Sequence, residues 1–168
     1  MANKYLVPSG AGLAQVEFMV ESTGAADAGK AVAVDVTGRL ANSVMPIGIG
    51  ADTASIIASE SLSAGAFVNV YNNSGTANTR KADAATSGKE AHGFVLAAVS
   101  SGASAIVYFE GTNTAVTGAT PGNVFLSTTA GGFTSTAPSA AGNVVQCVGV
   151  AVSATAIKFE RGVPVTLA

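Results

Sequence analysis

The stretch HGFVLAAVSSGASAIVYFEG, from His92 to Gly111, decides the fold because a shortened version of it returns later in the chain. The second copy is VGVAVSATAIKFERG, from Val148 to Gly162, and a weaker echo, GIGADTASII, runs from Gly48 to Ile57. In each copy a glycine opens an apolar strand, small and polar residues turn the chain, and a second apolar strand follows. The pattern predicts a β-hairpin that is used three times.

Short alternating runs surround these hairpins, with the spacing expected of strands that bury one face. Two of them precede the first repeat: Val16 to Val20, and Val32 to Val36. No stretch of a dozen residues combines helical periodicity with capping residues. The chain is therefore predicted to be all-β, made of small β-barrel-like or sandwich-like modules from repeated hairpins.

The 168 residues suit one domain or two small ones built alike. We expect an extended N-terminal arm at residues 1–12, a first β-module at 13–60, and a second β-module at 61–168. Gly65 and Gly93 are 28 positions apart, and Gly122 and Gly149 are 27 apart. These similar spacings predict an internal duplication within the second module.

The apolar residues of this chain are mostly small. They make up 48% of the sequence, but 33 of them are alanine, only seven are phenylalanine and none is tryptophan. Because burial contributes roughly 25 cal/mol per Å² of apolar surface, a core built from alanine is thin. We expect part of the stability to come from association with other chains.

Charge and hydropathy exclude several classes of partner. Charged residues are 11% of the chain, the net charge is −2, and the cations are scattered apart from Arg80 and Lys81. A nucleic-acid or anionic membrane surface would require clustered cations, and no apolar run approaches the ~20 residues of a membrane span. The opening residues lack an apolar segment of signal-peptide length, which predicts assembly in a cytoplasm. The single cysteine, Cys147, is predicted to be a buried strand thiol.

No catalytic pattern is found. His92 is the only histidine, and the nucleophile motif G-x-S-x-G is absent. Glu110 and Glu160 could form a carboxylate pair for glycoside cleavage, but they occupy equivalent places in the repeated hairpin, which favours a structural role. No calcium-loop spacing and no phosphate-binding glycine motif is present. We expect no enzymatic activity, no cofactor and no metal.

About two thirds of the chain, from Ser61 to Ala168, resembles a module of tailed-bacteriophage structural proteins, above all head decoration (cement) proteins and less often fibres. The resemblance is carried by residues 64–72, 89–95, 105–111, 131–136 and 148–151. It implies a non-enzymatic virion protein on the outer capsid surface, made in the host bacterial cytoplasm. Its implied partners are the major capsid protein and further copies of itself, as a homotrimer.

Multivalent clamping of neighbouring capsid subunits is the mechanism that this resemblance implies. Tyr5, Leu6 and Val7 are the expected capsid anchors, because they form an apolar patch in the expected arm. An alternative is a phage fibre or spike component that binds a host surface glycan. A wall or capsule hydrolase is a more distant alternative.

Overall fold

The computed structural model describes residues 4–36, 38–45 and 52–168. The chain divides into two compact units, Met1–Gly50 and Ala51–Ala168, named here the N-terminal unit and the C-terminal unit. Strands dominate the described residues, where the helical elements are two short 3-10 turns, Ala25–Asp27 and Asn42–Val44. The prediction of an all-β chain made of small modules is therefore confirmed.

The N-terminal unit contains one hairpin, formed by β1 (Lys4–Ser9) and β2 (Gly12–Glu17). The strands pair antiparallel, with Tyr5 opposite Val16, and Gly10 turns the chain with a φ of 57°. Residues 4–12, expected to belong to an extended arm, are instead half of a hairpin. The reason is that the apolar alternation continues past the glycine turn, so the segment can pair with the residues that follow it.

The valine run of the N-terminal unit is extended and makes one β-bridge within the part of the chain that the structure describes. This bridge joins Met19 to Val32. The neighbouring backbone bonds run from Met19 N–H to the carbonyl of Ala31 and from Ala33 N–H to the carbonyl of Met19. Among the described residues, the expected strand at 32–36 thus has the right side-chain alternation and no strand neighbour along the edge that carries the N–H and C=O groups of Val32 and Val34.

The C-terminal unit holds the remaining strands. They are β3 (Thr53–Ala58), β4 (Phe67–Asn73), β5 (Thr76–Lys81), β6 (Gly93–Phe94), β7 (Ser104–Tyr108), β8 (Gly111–Asn113), β9 (Gly122–Leu126), β10 (Phe133–Thr134), β11 (Val144–Val145), β12 (Cys147–Ser153), β13 (Ala156–Phe159) and β14 (Val165–Thr166). The hairpin predicted at Val148–Gly162 is present as β12 with β13. The one predicted at His92–Gly111 forms only in part: β6 meets β7 at a single pair, Phe94 opposite Tyr108, and Val99 bridges to Leu62 instead.

Five strands close into a barrel in the order β3-β5-β4-β6-β7. A second sheet, called here the open sheet, has the order β10-β9-β12-β13-β8, and β11 pairs separately with β14. If the barrel is followed from β5 round to β3, the two orders correspond strand for strand, with β3 matching β8. This correspondence is consistent with the expected internal duplication.

Glycines at matching places allow close backbone approach in both copies. A Cβ on Gly93 would collide with the carbonyl oxygen of Tyr108, and one on Gly149 would collide with that of Lys158. Tyr108 and Lys158 each precede the phenylalanine of the repeated hairpin. The glycine near the start of each of these two repeats is therefore needed for close contact between strands.

Two hydrophobic clusters fill the C-terminal unit. The barrel interior is lined mainly by small and β-branched side chains: Ile56, Ala58, Leu62, Ala66, Val68, Val95, Ala105 and Val107. The other cluster, called here the shared core, joins barrel strands to the open sheet. At its centre the ring centroids of Phe67 and Phe94 lie 6.0 and 5.7 Å from that of Phe159. Both copies of the module therefore bury apolar surface against each other.

A buried amide adds a polar connection beside the shared core. The fully buried Gln146 accepts a hydrogen bond from Ala91 N–H at 2.8 Å and donates from Nε2 to the Ala91 carbonyl at 2.9 Å. Nε2 also lies 3.2 Å from the carbonyl of Gly162. The side chain thus pairs with a peptide group as a neighbouring strand would, and satisfies both its polar atoms.

The boundary between the units falls at Gly50, earlier than the expected boundary at 60/61. Strand β3 pairs antiparallel with β7 and parallel with β5, so residues 53–58 close the barrel and belong to the C-terminal unit. The first half of the echo at Gly48 to Ile57, residues 48–51, lies outside the described residues, and residues 53–57 belong to β3.

Replacing Gly93 by Ala should lower the free energy of unfolding by about 3 kcal/mol, because the new methyl group meets fixed backbone. Gly88→Ala is the matched control: Gly88 has a φ of 86° and open space at its Cβ position. It should cost only about 1 kcal/mol, the price of a left-handed residue. Urea unfolding of both variants measures the difference, and equal losses would refute the close-approach role.

Candidate interaction surfaces

The N-terminal unit has no buried residue in the part of it that the structure describes. It carries eight of the fourteen large apolar side chains that are exposed in the described chain. Those eight are Leu6, Leu13, Phe18, Val20, Val32, Val34, Val36 and Leu40. Soluble chains rarely leave so much apolar surface uncovered without an interaction to cover it. This unit is therefore the first candidate for an interaction surface.

The three predicted anchors do not share one face of the hairpin, because alternate residues of β1 point to opposite faces. Leu6 is 60% exposed, whereas Tyr5 and Val7 are partly buried on the other face. The hydroxyl of Tyr5 accepts a hydrogen bond from Ala31 N–H at 2.8 Å. Its ring centroid lies 5.0 Å from that of Phe18.

The residue that shares the exposed face with Leu6 is Leu13, which the sequence analysis did not single out. Leu13 pairs with Pro8 across the hairpin and is 69% exposed. The alternation of apolar and polar residues could have identified Leu13, since a hairpin that turns at Gly10 places Leu6, Pro8 and Leu13 on one face. Leu13 was not grouped with Leu6 because the expected arm ended at residue 12.

Polar contacts at the surface hold much of the N-terminal unit. The Asp27 carboxylate lies 2.6 Å from Lys30 Nζ and accepts hydrogen bonds from the N–H and hydroxyl of Thr23. The hydrogen bond from Lys30 is the main reason that the pKa of Asp27 lies far below its usual range, and the bonds from Thr23 add to it. Exposed ion pairs contribute little stability, so these contacts do not replace a core.

The C-terminal unit has a cleft of about 540 Å³ between the two ends of the open sheet, called here the end-strand cleft. One wall is the segment after β8, including Val116 and Thr117. The opposite wall is the turn between β9 and β10, including Gly132, together with Phe133, the first residue of β10. Most of the other lining residues are alanine, glycine, serine or threonine, and Lys81 is the one charged residue among those described at the cleft.

His92 has a structural contact and no catalytic neighbour in the described chain. Its Nδ1 accepts a hydrogen bond from Val70 N–H at 3.0 Å, which ties the strand β4 to the start of β6. Burial is the main cause that lowers the pKa of His92, and the positive charge of Arg161 lowers it further. The neutral imidazole is thus the form that the folded chain favours.

The other candidate catalytic groups are not assembled into a site. Glu110 and Glu160 are both exposed at the ends of matching hairpins. Among the described residues, no group of three or more His, Cys, Asp and Glu side chains could hold a metal ion. Cys147, predicted to be buried, is only partly buried and has no disulfide partner. Within the same residues, no helix is both long and apolar enough to cross a membrane.

Comparison with known proteins adds no relative. Protein-family models, curated proteins and solved structures give no match to this chain. The function must therefore be argued from its own residues.

The His92 contact predicts a pH dependence of stability. Because the pKa of His92 is lower in the folded chain than in the unfolded one, the unfolded chain binds more protons below about pH 6.5. Stability contributed by neutral His92 is present above that pH and declines as the pH falls. His92→Asn keeps an acceptor near Val70 N–H without titrating, so it should flatten the loss between about pH 7 and pH 5. An unchanged slope in thermal unfolding of the variant would show that His92 does not contribute.

Proposed function

We propose that this chain is a structural virion protein that decorates and stabilises the outer surface of a tailed-phage capsid. It binds the major capsid protein, associates with copies of itself as a homotrimer, and catalyses no reaction. The observation that carries the proposal is the N-terminal unit, which exposes eight large apolar side chains and buries none of its described residues.

The C-terminal unit suits a passive scaffold. Its buried polar side chains have hydrogen-bond partners throughout the described chain. Gln146 and Asn113, both fully buried, bond to backbone groups rather than point into a cavity. A rigid β scaffold with satisfied buried groups supports contacts at its surface and offers little to a substrate.

The mechanism is multivalent clamping. One apolar face, such as that formed by Leu6 and Leu13, gives only a weak contact. Several copies joined to each other and bound to neighbouring capsid subunits convert weak contacts into a stable coat. Such a coat resists separation of the capsid subunits that it bridges. The outer capsid surface is accordingly the location that we propose.

The alternative, a fibre or spike component that binds glycan, has less support. Sugar stacking needs an open aromatic face, but the three tyrosine rings have other contacts. Arg80 lies 4.4 Å from the ring centroid of Tyr71, held there by hydrogen bonds to Asn69 and Gly88. Tyr108 stacks on Phe94 with a centroid distance of 5.4 Å. Tyr5 contacts Phe18, as described above.

The capsid-binding role is tested with full-length variants on phage heads that lack this protein. The double variant Leu6→Asp, Leu13→Asp places two charges on the exposed hairpin face. We expect at least a tenfold fall in the number of copies bound per head, because charged residues oppose burial of an apolar contact. Quantitative mass spectrometry of purified heads measures the occupancy.

Val152→Asp is the matched control, since Val152 is also 60% exposed but lies on β12 of the C-terminal unit. It should bind heads like the unchanged chain. Full occupancy by the hairpin variant would remove the hairpin face from the mechanism. Failure of the unchanged chain to bind heads would refute capsid decoration itself.

A further inference from the structure

One pair of strand contacts closes the barrel. Strand β3 pairs in parallel with β5 through Ile57 opposite Asn78 and Ala58 opposite Thr79. The same strand pairs antiparallel with β7 on its other edge. Without the two parallel pairs, the barrel would be an open sheet with two unpaired end strands.

Among the described residues, the open sheet has no corresponding contact between its end strands β8 and β10. Thr53 of β3 lies opposite Tyr108, as Thr112 of β8 lies opposite Lys158, so β3 and β8 can be aligned residue by residue. The aligned sequences are TASIIA from Thr53 and TNTAVT from Thr112. In this alignment, Ile57 and Ala58, the β3 residues that pair with β5, correspond to Val116 and Thr117.

The residues of the open sheet that correspond to Asn78 and Thr79 of β5 are found by the same kind of alignment. Val68 and Val124 both lie opposite a glycine that opens a repeat, so β4 matches β9, and β5 matches β10. The counterparts of Asn78 and Thr79 are then Gly132 and Phe133. These two and the counterparts on the β8 side all line the end-strand cleft. The cleft thus lies where the missing closure would be.

The cleft has the character of a site for a peptide backbone. Its walls are mainly small residues, so an extended chain can approach closely. On the β10 side Gly131 and Gly132 already have backbone hydrogen bonds, so Phe133 and, on the β8 side, Val116 and Thr117 offer the backbone donors and acceptors for an added strand. The charged residue on its lining is Lys81, which favours a segment that carries a negative charge.

The segment Ala31–Val36 of the N-terminal unit has the available backbone edge and the negative charge that this cleft favours. In the described chain, the N–H and C=O groups of Val32 and Val34 have no hydrogen-bond partner, so one edge of this extended segment is available. The two valine side chains are 43% and 53% exposed. Asp35 gives the segment a negative charge opposite in sign to Lys81.

We propose that the end-strand cleft of one copy binds the segment Ala31–Val36 of a second copy as an added β-strand. The first copy of the module closes within the chain, and the second closes between chains. This contact joins two different surfaces, so repetition builds a ring or a filament rather than a two-fold dimer. The inference rests on the self-association in the proposed function and does not depend on the capsid.

Cross-linking between two differently tagged full-length chains tests the contact. Both carry Cys147→Ser; one also carries Val34→Cys and the other Thr117→Cys. Each chain then has a single cysteine, so a disulfide can form only between chains, and the two tags identify the mixed product. We expect at least tenfold more mixed disulfide than with Leu40→Cys in place of Val34→Cys. Leu40 is a matched control because it is 50% exposed in the same unit.

A second measurement keeps the proposal falsifiable if cysteine placement interferes. Val34→Lys should convert the associated chain to monomer in sedimentation, whereas Leu40→Lys should not. Equal cross-linking of the Val34 and Leu40 variants, or unchanged association of Val34→Lys, would overturn the proposal. A chain that binds heads but stays monomeric free and bound would overturn this inference and the homotrimer, leaving capsid decoration intact. A chain that cross-links as expected but does not bind heads would overturn capsid decoration and leave this inference intact.

Discussion

The contact of Phe67 and Phe94 with Phe159 is the interaction on which the rest of the C-terminal unit depends. The barrel interior is filled by small and β-branched side chains, and such a core contributes limited stability by itself. The three rings lie outside that interior and fill the space between the barrel and the open sheet. Each module is therefore stabilised by the other, and a change in one should be felt in both.

The two units of the chain have few bulky apolar residues, and they differ in how their apolar side chains are buried. In the C-terminal unit, two sheets with matching strand orders pack against each other, and the backbone approaches closely at Gly93 and Gly149. In the N-terminal unit no described residue is buried, and most of its leucine and valine side chains remain exposed. A second chain that packs on these side chains would bury them, which is why we connect this unit with assembly.

Local features of the fold could be predicted from the sequence, whereas contacts between distant segments could not. The turn at Asn72–Gly75 and the hairpin of β12 and β13 follow from glycine, asparagine and alternation within a few residues. The parallel pairing of β3 with β5 and the bonds between Gln146 and Ala91 join residues far apart in the chain, and no local period encodes them. For the candidate surface, Leu6 was identified, but Leu13 required the register of the hairpin.

Amide hydrogen exchange of the full-length chain, in dilute and in concentrated solution, tests most directly whether the N-terminal unit is completed by another copy. The account predicts that the amides of Val32 and Val34 exchange rapidly in dilute protein and many-fold more slowly once the chains associate. Amides of the shared core, such as that of Ile157, should be protected at both concentrations. Protection of Val32 and Val34 in the isolated monomer, or its absence in the associated chain, would contradict the account.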